Sequence, residues 1–471
     1  MDREELVRSN LRGADLAGKD LSDMNFSGKD FSEAILTGAN LSGAIMIGAD
    51  FTEAHLDGAD LSKADLTRTV FCEASLIGAC LQGVNLDEAN LSLANLSQAD
   101  LSDANLHKAK LSEAVLDETD FSRAILQHAN LSLVNFTQAN LSKADLTGAN
   151  LEHSNLSEMD LRHVTLSRAD LHNANLQKAR LRGGTLDQAM LRRANLTGAN
   201  LTGANLSESN FSQAVLVDAN LSRSNLSSTY LAGADLSRAK LTDANFDGVD
   251  FYHTLLIGAD LRGADLSGVH LRRADLTDAN LASAKLVKSD LRECQLVRCN
   301  LSKAELMEAH INHANLNHAD LSGANLSLTV LRGADLRGAD LLKANLIRTD
   351  LSEANLTGTH LGGTNLRGAK LREAILVNAN LSGVNVQNDD LSGTDFRGAN
   401  LRLTHNLSGE QVESAIIDQE TLLPPNLKVT WTTDTEFVCE ELQRKKKTTK
   451  DSSSEQSENN DSPSGQSETG G

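Results

Sequence analysis

Proline is nearly missing from this 471-residue chain: there are three, all after residue 423. Aromatic side chains are also scarce, with 11 Phe, 2 Tyr and 1 Trp. Length alone suggests about three domains, but ordinary globular domains would hold many more of both, and an apolar share above the 40% found here. Five cysteines (Cys72, Cys80, Cys294, Cys299, Cys439) make neither a disulfide framework nor a zinc spacing, and fit a reducing compartment. Basic residues are outnumbered, 44 Lys+Arg against 64 Asp+Glu, for a formal net charge of −20. That disfavours a general nucleic-acid binder, because phosphate neutralisation needs a basic surface. No apolar run approaches the roughly 18 residues of a membrane span. The opening MDREELVRSNL has no apolar secretory core. A cytoplasmic location is expected.

What the chain has instead is a repeat. Every fifth residue from Leu6 to Leu401 is apolar: of these 80 positions 67 are Leu, 10 are Phe, and the others are Met46, Ile311 and Val386. The register never slips. Two residues before this position, here called i, the side chain is small, most often Ala. Position i−1 is usually Asp or Asn, i+1 is commonly Ser, Thr or Arg, and 27 of the 33 glycines stand at i+2. Positions i−2 and i are two apart, so in an extended segment they point to one side while i−1 and i+1 point away. A strict five-residue period does not suit a helix. Gly or charge at i+2 forbids a continuing inward strand, so the chain must turn once per unit. Glycine supplies positive φ there, and Asp or Asn caps the turn. One coil cannot bury its own leucines; stacked neighbours bury them, which gives a solenoid.

Units such as Ala39–Gly43, Ala199–Gly203 and Ala334–Gly338 resemble the pentapeptide repeat family. The resemblance covers roughly residues 4–405 in 80 units in register, within a repeat domain taken as residues 1–405. It implies an all-β solenoid: a right-handed quadrilateral parallel β-helix with four units per coil, about 20 coils, and a rod roughly 95 Å long at the usual strand spacing. Thin stacks of Leu and Ala then replace a globular core, with Leu201 as a typical inward residue. Phe31, Phe51 and Phe71 are 20 apart and are expected to stack in adjacent coils. Asn135, Asn155, Asn175 and Asn195, and likewise Asn325, Asn345, Asn365 and Asn385, are expected to form outer amide ladders. Glu4, Lys19, Lys29 and Asp389 break the small-residue rule near the ends, where capping or fraying is expected.

The register ends at His405. In residues 406–442, Ser408 and Gln411 form a capping box, and Leu407 and Val412 occupy the sites of a hydrophobic staple. A short helix near 409–417, with Val412, Ala415 and Ile416 on one face, is expected to cover the end of the rod. The run from Leu407 to Leu427 is similar to the caps of bacterial, notably cyanobacterial, pentapeptide proteins. Residues 428–442 are expected to add a strand and a short helix carrying Trp431 and Phe437. Residues 443–471 are polar, low in complexity and expected to be disordered. The basic run Arg444–Lys450 reads as a solvated tail, a nuclear signal or an anionic-membrane contact.

No phosphate-binding loop, dinucleotide fingerprint, zinc-protease motif or nucleophile elbow occurs. His310, His313 and His318 are the densest histidine group, and most simply occupy variable outer positions. Cys294 and Cys299 take the inward i−2 slot, either as buried thiols or as a disulfide across the corner. No catalytic residue, metal or cofactor is expected. The four faces differ in summed charge: +2 for the face with Leu21 and Leu41, and −4, −5 and −6 for those with Phe26, Phe31 and Leu36. The last also carries most of the outward apolar residues. Among them Val215, Val217, Leu255, Ile257 and Val297 form a candidate contact strip. The expected function is a non-enzymatic scaffold that meets unknown protein partners along its surface. Family resemblance offers an alternative, a DNA mimic acting on a type II topoisomerase. The array's net −13 weakens it, since duplex DNA of that length carries roughly 55 charges.

Overall fold

A single unit shows how the backbone is held. In Ala199–Gly203, the Ala199 N–H donates to Leu196 O at 2.9 Å, closing the turn from the preceding unit. The Asn200 N–H reaches back 21 residues to Ala179 O at 2.9 Å, and the Leu201 N–H reaches forward to Asn220 O at 2.8 Å. The Thr202 N–H donates to Asn200 Oδ1 at 3.1 Å, and the Gly203 N–H to Ser222 O at 2.9 Å. All five donors are therefore used: three between coils, one in the turn and one by the Asn side chain. Buried backbone donors must be paired, and in this unit the accounting closes; where i−1 is apolar or aromatic, as at Val70 or Tyr230, no Asn or Asp side chain caps the i+1 N–H.

The computed structural model describes residues 7–442. From Asp15 to His405 the chain is a series of single-residue parallel bridges, each to a residue 20 positions further on, such as Asp15↔Ile35, Asn200↔Asn220 and Asn385↔His405. Four bridges recur per turn, one per unit. Position i is sealed; Leu201 and nearly every equivalent residue are fully buried. Phe31 and Phe51 stack at 4.7 Å between centroids, Phe51 and Phe71 at 4.8 Å, and Phe26 meets Phe31 edge-on at 5.3 Å. The two stacked spacings match the distance between neighbouring strands, so Phe31, Phe51 and Phe71 add one ring per coil.

From Gly13 to Gly398 position i+2 has a left-handed backbone whatever its residue, Gln138 excepted. Gly203 has φ 66°, and Glu33, Arg68 and Leu133 have φ 60°, 57° and 63°. Glycine is thus one solution among several. A side chain here is disfavoured locally, and the inter-coil hydrogen bond of the same residue offsets that cost. In some pairs glycine is required for room: a Cβ on Gly333 would lie 2.6 Å from His313 Nδ1, and one on Gly338 2.6 Å from His318 Nδ1. The imidazole in one coil lies over the bare glycine of the next.

Polar residues in the inward slot satisfy themselves. Thr119 Oγ1 donates to Leu96 O at 2.8 Å, and Ser154 Oγ to Leu151 O at 2.7 Å. On the outside, Asn155 donates to Asn135 Oδ1 and Asn175 to Asn155 Oδ1, both at 3.1 Å. Asn345 donates to Asn325 Oδ1 at 3.1 Å. A similar run, Asn205–Asn225–Asn245, was not anticipated. Near the start, Lys29 Nζ reaches Ser9 O at 3.5 Å; Glu4 lies outside the described residues.

After His405 the spacing slips. The next bridges are Asp395↔Ile416 and Asn400↔Leu422, 21 and 22 residues apart. Helix α1, Gly409–Glu413, fills the slack. Its Ser408–Gln411 capping box is complete, and Gln411 Nε2 also donates to Val386 O and Asp389 O at 3.3 and 3.1 Å. Leu407 and Val412 are buried. The helix is shorter than the expected 409–417, because Ile416 must rejoin the ladder: its N–H donates to Thr394 O and its carbonyl accepts from Phe396 N, both at 2.8 Å. Rejoining also reverses the expected face. Ile416 is 50% exposed, while Ile417 is buried beside Val412 and Ala415. Beyond it, β1 (Leu427–Trp431) and β2 (Phe437–Glu441) form an antiparallel hairpin in place of the expected strand and helix, with Trp431 against Phe437 at 5.2 Å. The segment 443–471, expected to be disordered, lies outside the described residues.

Asp389 is the polar exception in the inward slot. Oδ1 accepts from Ala369 N at 3.0 Å, but Oδ2 is buried without a partner. Burial pushes its pKa up to about 8, against the backbone donors of Ala369 and Gly368. The folded chain therefore keeps a proton that the unfolded chain releases above about pH 4.

Two outcomes are expected. Leu201→Asp places a charge in a dry stack and should abolish the cooperative β-sheet melt seen by circular dichroism; a mutant melting like the wild type would refute the inward assignment. Stability of the C-terminal coils should be full below about pH 4 and fall as pH rises through about 8. Asp389→Asn should flatten that slope and raise the melting midpoint at pH 8, as followed by Trp431 fluorescence.

Candidate interaction surface

Each unit presents three outward positions, i−1, i+1 and i+2, and these carry most of the variation. The first two are tied together. Ser62 N–H donates to Asp60 Oδ1 at 2.9 Å, and Thr52 Oγ1 to Asp50 Oδ1 at 2.5 Å. Where an Arg at i+1 follows an Asp at i−1, it clasps that carboxylate: Arg162 on Asp160, Arg262 on Asp260 and Arg292 on Asp290. The Arg162 guanidinium and backbone N–H hold Asp160 down to about 2. These carboxylates are turn caps as well as surface charges.

The apolar strip lies on the face that carries bridges Asn195↔Val215, Val215↔Asp235, Asp235↔Leu255 and Leu255↔Asp275. Leu255 and Ile257 are exposed, at 39% and 36%. Val215, Val217 and Val297 are half-buried. The strip is not continuous: Asp235 and Ser237 separate Val215 and Val217 from Leu255 and Ile257, and Thr277 separates Ile257 from Val297. Ion pairs border it, Arg238 with Asp218 at 2.7 Å and Arg298 with Asp278 at 2.6 Å. Both are exposed, so each contributes little to stability.

The structure does not gather the three histidines into a metal cluster. His310 stands in a ladder with Asp290 and Val330, while His313 and His318 lie over Gly333 and Gly338. Among the described residues no group of three potential ligands could hold an ion. Cys294 and Cys299 are free thiols, fully buried. Cys294 Sγ donates to Leu271 O at 2.8 Å, the bond Thr and Ser make from this slot. Burial pushes the Cys294 thiol up to about 12 and raises Cys299 further.

Sequence reasoning passed over one cluster. Tyr230 (57% exposed) and Tyr252 (39%), the chain's only tyrosines, fall on one face in adjacent coils. Tyr252 meets His253 edge-on at 4.4 Å, and its hydroxyl accepts from Arg273 Nη1 at 3.3 Å. Arg272 and Arg273 share Glu293, whose carboxyl they hold down to about 2. Sorting both tyrosines by their place in a 20-residue turn would have revealed the pairing.

Comparison with known families matches a model described as pentapeptide repeats (8 copies) over residues 5–87 and 179–388, in overlapping segments, and one described as a pentapeptide repeat region over 99–176. Solved structures that are similar include HetL, a pentapeptide repeat protein involved in heterocyst differentiation regulation from the cyanobacterium Nostoc sp. strain PCC 7120. It is 35% identical over 44% of this chain and 89% of that one, with a TM-score of 0.22. A pentapeptide repeat protein of the Arabidopsis thaliana thylakoid lumen is 30% identical over 28% and 74%, with a TM-score of 0.20. QnrB1, a plasmid-mediated fluoroquinolone resistance protein, is 19% identical over 46% and 90%, with a TM-score of 0.19. No curated protein sequence matches the chain. Among the described residues, no helix is long and apolar enough to cross a membrane.

Thiol accessibility gives a direct check of the inward slot. An aromatic disulfide reagent at pH 8 should leave Cys294 and Cys299 unmodified in the folded chain and label them on denaturation, as read by peptide mass. Labelling of Cys294 in the folded state would contradict its burial.

Proposed function

The chain belongs to the pentapeptide repeat family, and from that premise we propose that it is a non-enzymatic interaction rod. In this reading it is right-handed and built of about twenty coils, spanning residues 1–405. Residues 406–442, with Leu407, Ser408, Gln411 and Val412 at the helix, close its C-terminal end. The observation that carries the reading is the division of labour within the unit. Positions i−2 and i are spent on the core and the backbone on its own ladder, so side-chain variation at the three outward positions is the whole of what a partner meets. The contact strip of Val215, Val217, Leu255, Ile257 and Val297 is the proposed apolar part of that surface. Five unpaired cysteines support a reducing compartment such as the cytoplasm.

Family membership leaves a second reading, a DNA mimic acting on a type II topoisomerase. Against it stand the face with summed charge +2 and the arginines around Tyr252.

Val217→Lys combined with Ile257→Lys should remove a protein captured by the wild-type chain while leaving the melt unchanged. Unaltered capture would count against the strip. Inhibition of gyrase supercoiling at low micromolar protein would favour the mimic instead.

A further inference from the structure

The face that carries Tyr230 and Tyr252 is acidic as a whole, with a summed charge of −5. Between Ala189 and Gly333 it is not. There the units of this face hold six arginines against three carboxylates, Asp250, Asp290 and Glu293. In the middle of this window stands the unit Thr229–Gly233, whose outward residues beyond Tyr230 are only Ala232 and Gly233. A Cβ added to Gly233 would have nothing nearer than Gln213 Cγ at 3.8 Å, so this shelf is open. Tyr230 stands beside it in the same coil, and Tyr252 with His253 stands one coil above. Two coils below are Arg192 and Arg193, both exposed. Two coils above are Arg272 and Arg273, tied to Glu293 and to the Tyr252 hydroxyl. Glu293 offsets only one of those two positive charges.

We propose that this window is a docking site for an acidic, extended segment of another protein. An apolar or aromatic side chain of that segment would lie on the Ala232–Gly233 shelf between the tyrosines, and carboxylates on either side of it would meet the two arginine pairs. The claim rests on reading the rod as an interaction protein, and it supplies the chemistry of a partner. Tyrosine and arginine are the residues that concentrate binding energy in interfaces. The ladder uses the amides at i−1, i and i+2 of this face, so a partner adds no strand and is read mainly by side chains. Charge fixes the register. An acidic segment is repelled along most of an acidic rod, which confines it to the few positive windows, and of those only this one has aromatic walls. The span sets the length: Arg193 and Arg273 are four coils apart, about 19 Å at the usual strand spacing, which about six extended residues cover. Toward the C-terminal end of each unit the chain turns from Tyr252 through buried Thr254 to Leu255. The window therefore borders the apolar strip across one edge of the rod.

The test uses the full chain and a fluorescein-labelled probe, the peptide Glu-Glu-Gly-Trp-Gly-Glu-Glu, with its all-Gln counterpart as control, read by fluorescence anisotropy at low and at high salt. The acidic peptide is expected to bind at least about tenfold more tightly than the Gln peptide at low salt, and to weaken as salt rises. Tyr252→Ala and Arg193→Glu, both at exposed outward positions, should each weaken it about tenfold or more while melting like the wild type. Equal binding of the two peptides would overturn the proposal, and so would wild-type binding by either variant. If short duplex DNA displaces the peptide at equal charge concentration, the site is a general polyanion surface and the peptide assignment fails. This test is independent of the strip. Failure here with strip-dependent capture intact retires the window alone; peptide binding without such capture retires the strip.

Discussion

The structure depends on the backbone donors of the five-residue unit, of which those at i−1, i and i+2 bond to another coil. This one constraint explains the composition. Proline has no N–H, so the positions whose N–H closes a turn or joins another coil reject it, and the three prolines stand beyond the array. An inserted residue would shift the three inter-coil bonds of its own unit and those of the units stacked on it, so the register holds from Leu6 to Leu401. The left-handed turn at i+2 is kept even by Glu33, Arg68 and Leu133, because the bond that closes the ladder leaves no alternative backbone conformation. Few aromatics are needed, because the tube is only as wide as facing leucines. Where Phe does occur inward in successive coils, the strand spacing suits ring stacking.

The repeat, and with it the family, was legible because five-residue periodicity is a local property that a single chain displays in full. What was not legible required knowing where the period stops. Ile416 looked like a helix residue, since it follows Val412 and Ala415 at helical spacing and a capping box precedes them. The competing demand came from Asp395, 21 residues earlier, whose strand needed a partner. Local pattern lost to ladder completion, so α1 ended at Glu413 and Ile416 turned outward. The hairpin β1–β2 was missed for a related reason. Trp431 and Phe437 were read as belonging to two unlike elements, whereas cross-strand pairing brings their rings together.

The surface was harder to read than the core. Sequence neighbours sit on different faces, and surface neighbours are 20 residues apart. Summing charge by face gave −5 for the face of Tyr252 and so concealed a window where arginines outnumber carboxylates. The apolar strip was found by the same sorting, but sorting by face overlooked the rungs between its members: Asp235 stands between Val215 and Leu255. A useful map of such a rod needs both coordinates, the face and the coil.

Uniformity also limits how such a rod can be specific. A repeated unit offers a partner the same contacts at every coil, so a segment that binds one consensus unit binds the next nearly as well and can slide along the rod. Only departures from the consensus fix a position. Asn ladders such as Asn205–Asn225–Asn245 are repetitive and carry no address. Tyr230, Tyr252 and the shared Glu293 of Arg272 and Arg273 occur once. Outward residues take no part in the core, so they vary at little cost to folding, whereas a change at i is felt throughout the stack. The rod therefore separates what holds it together from what distinguishes one stretch from another, and on the proposed interaction reading a partner would be addressed where the outward residues least resemble the repeat.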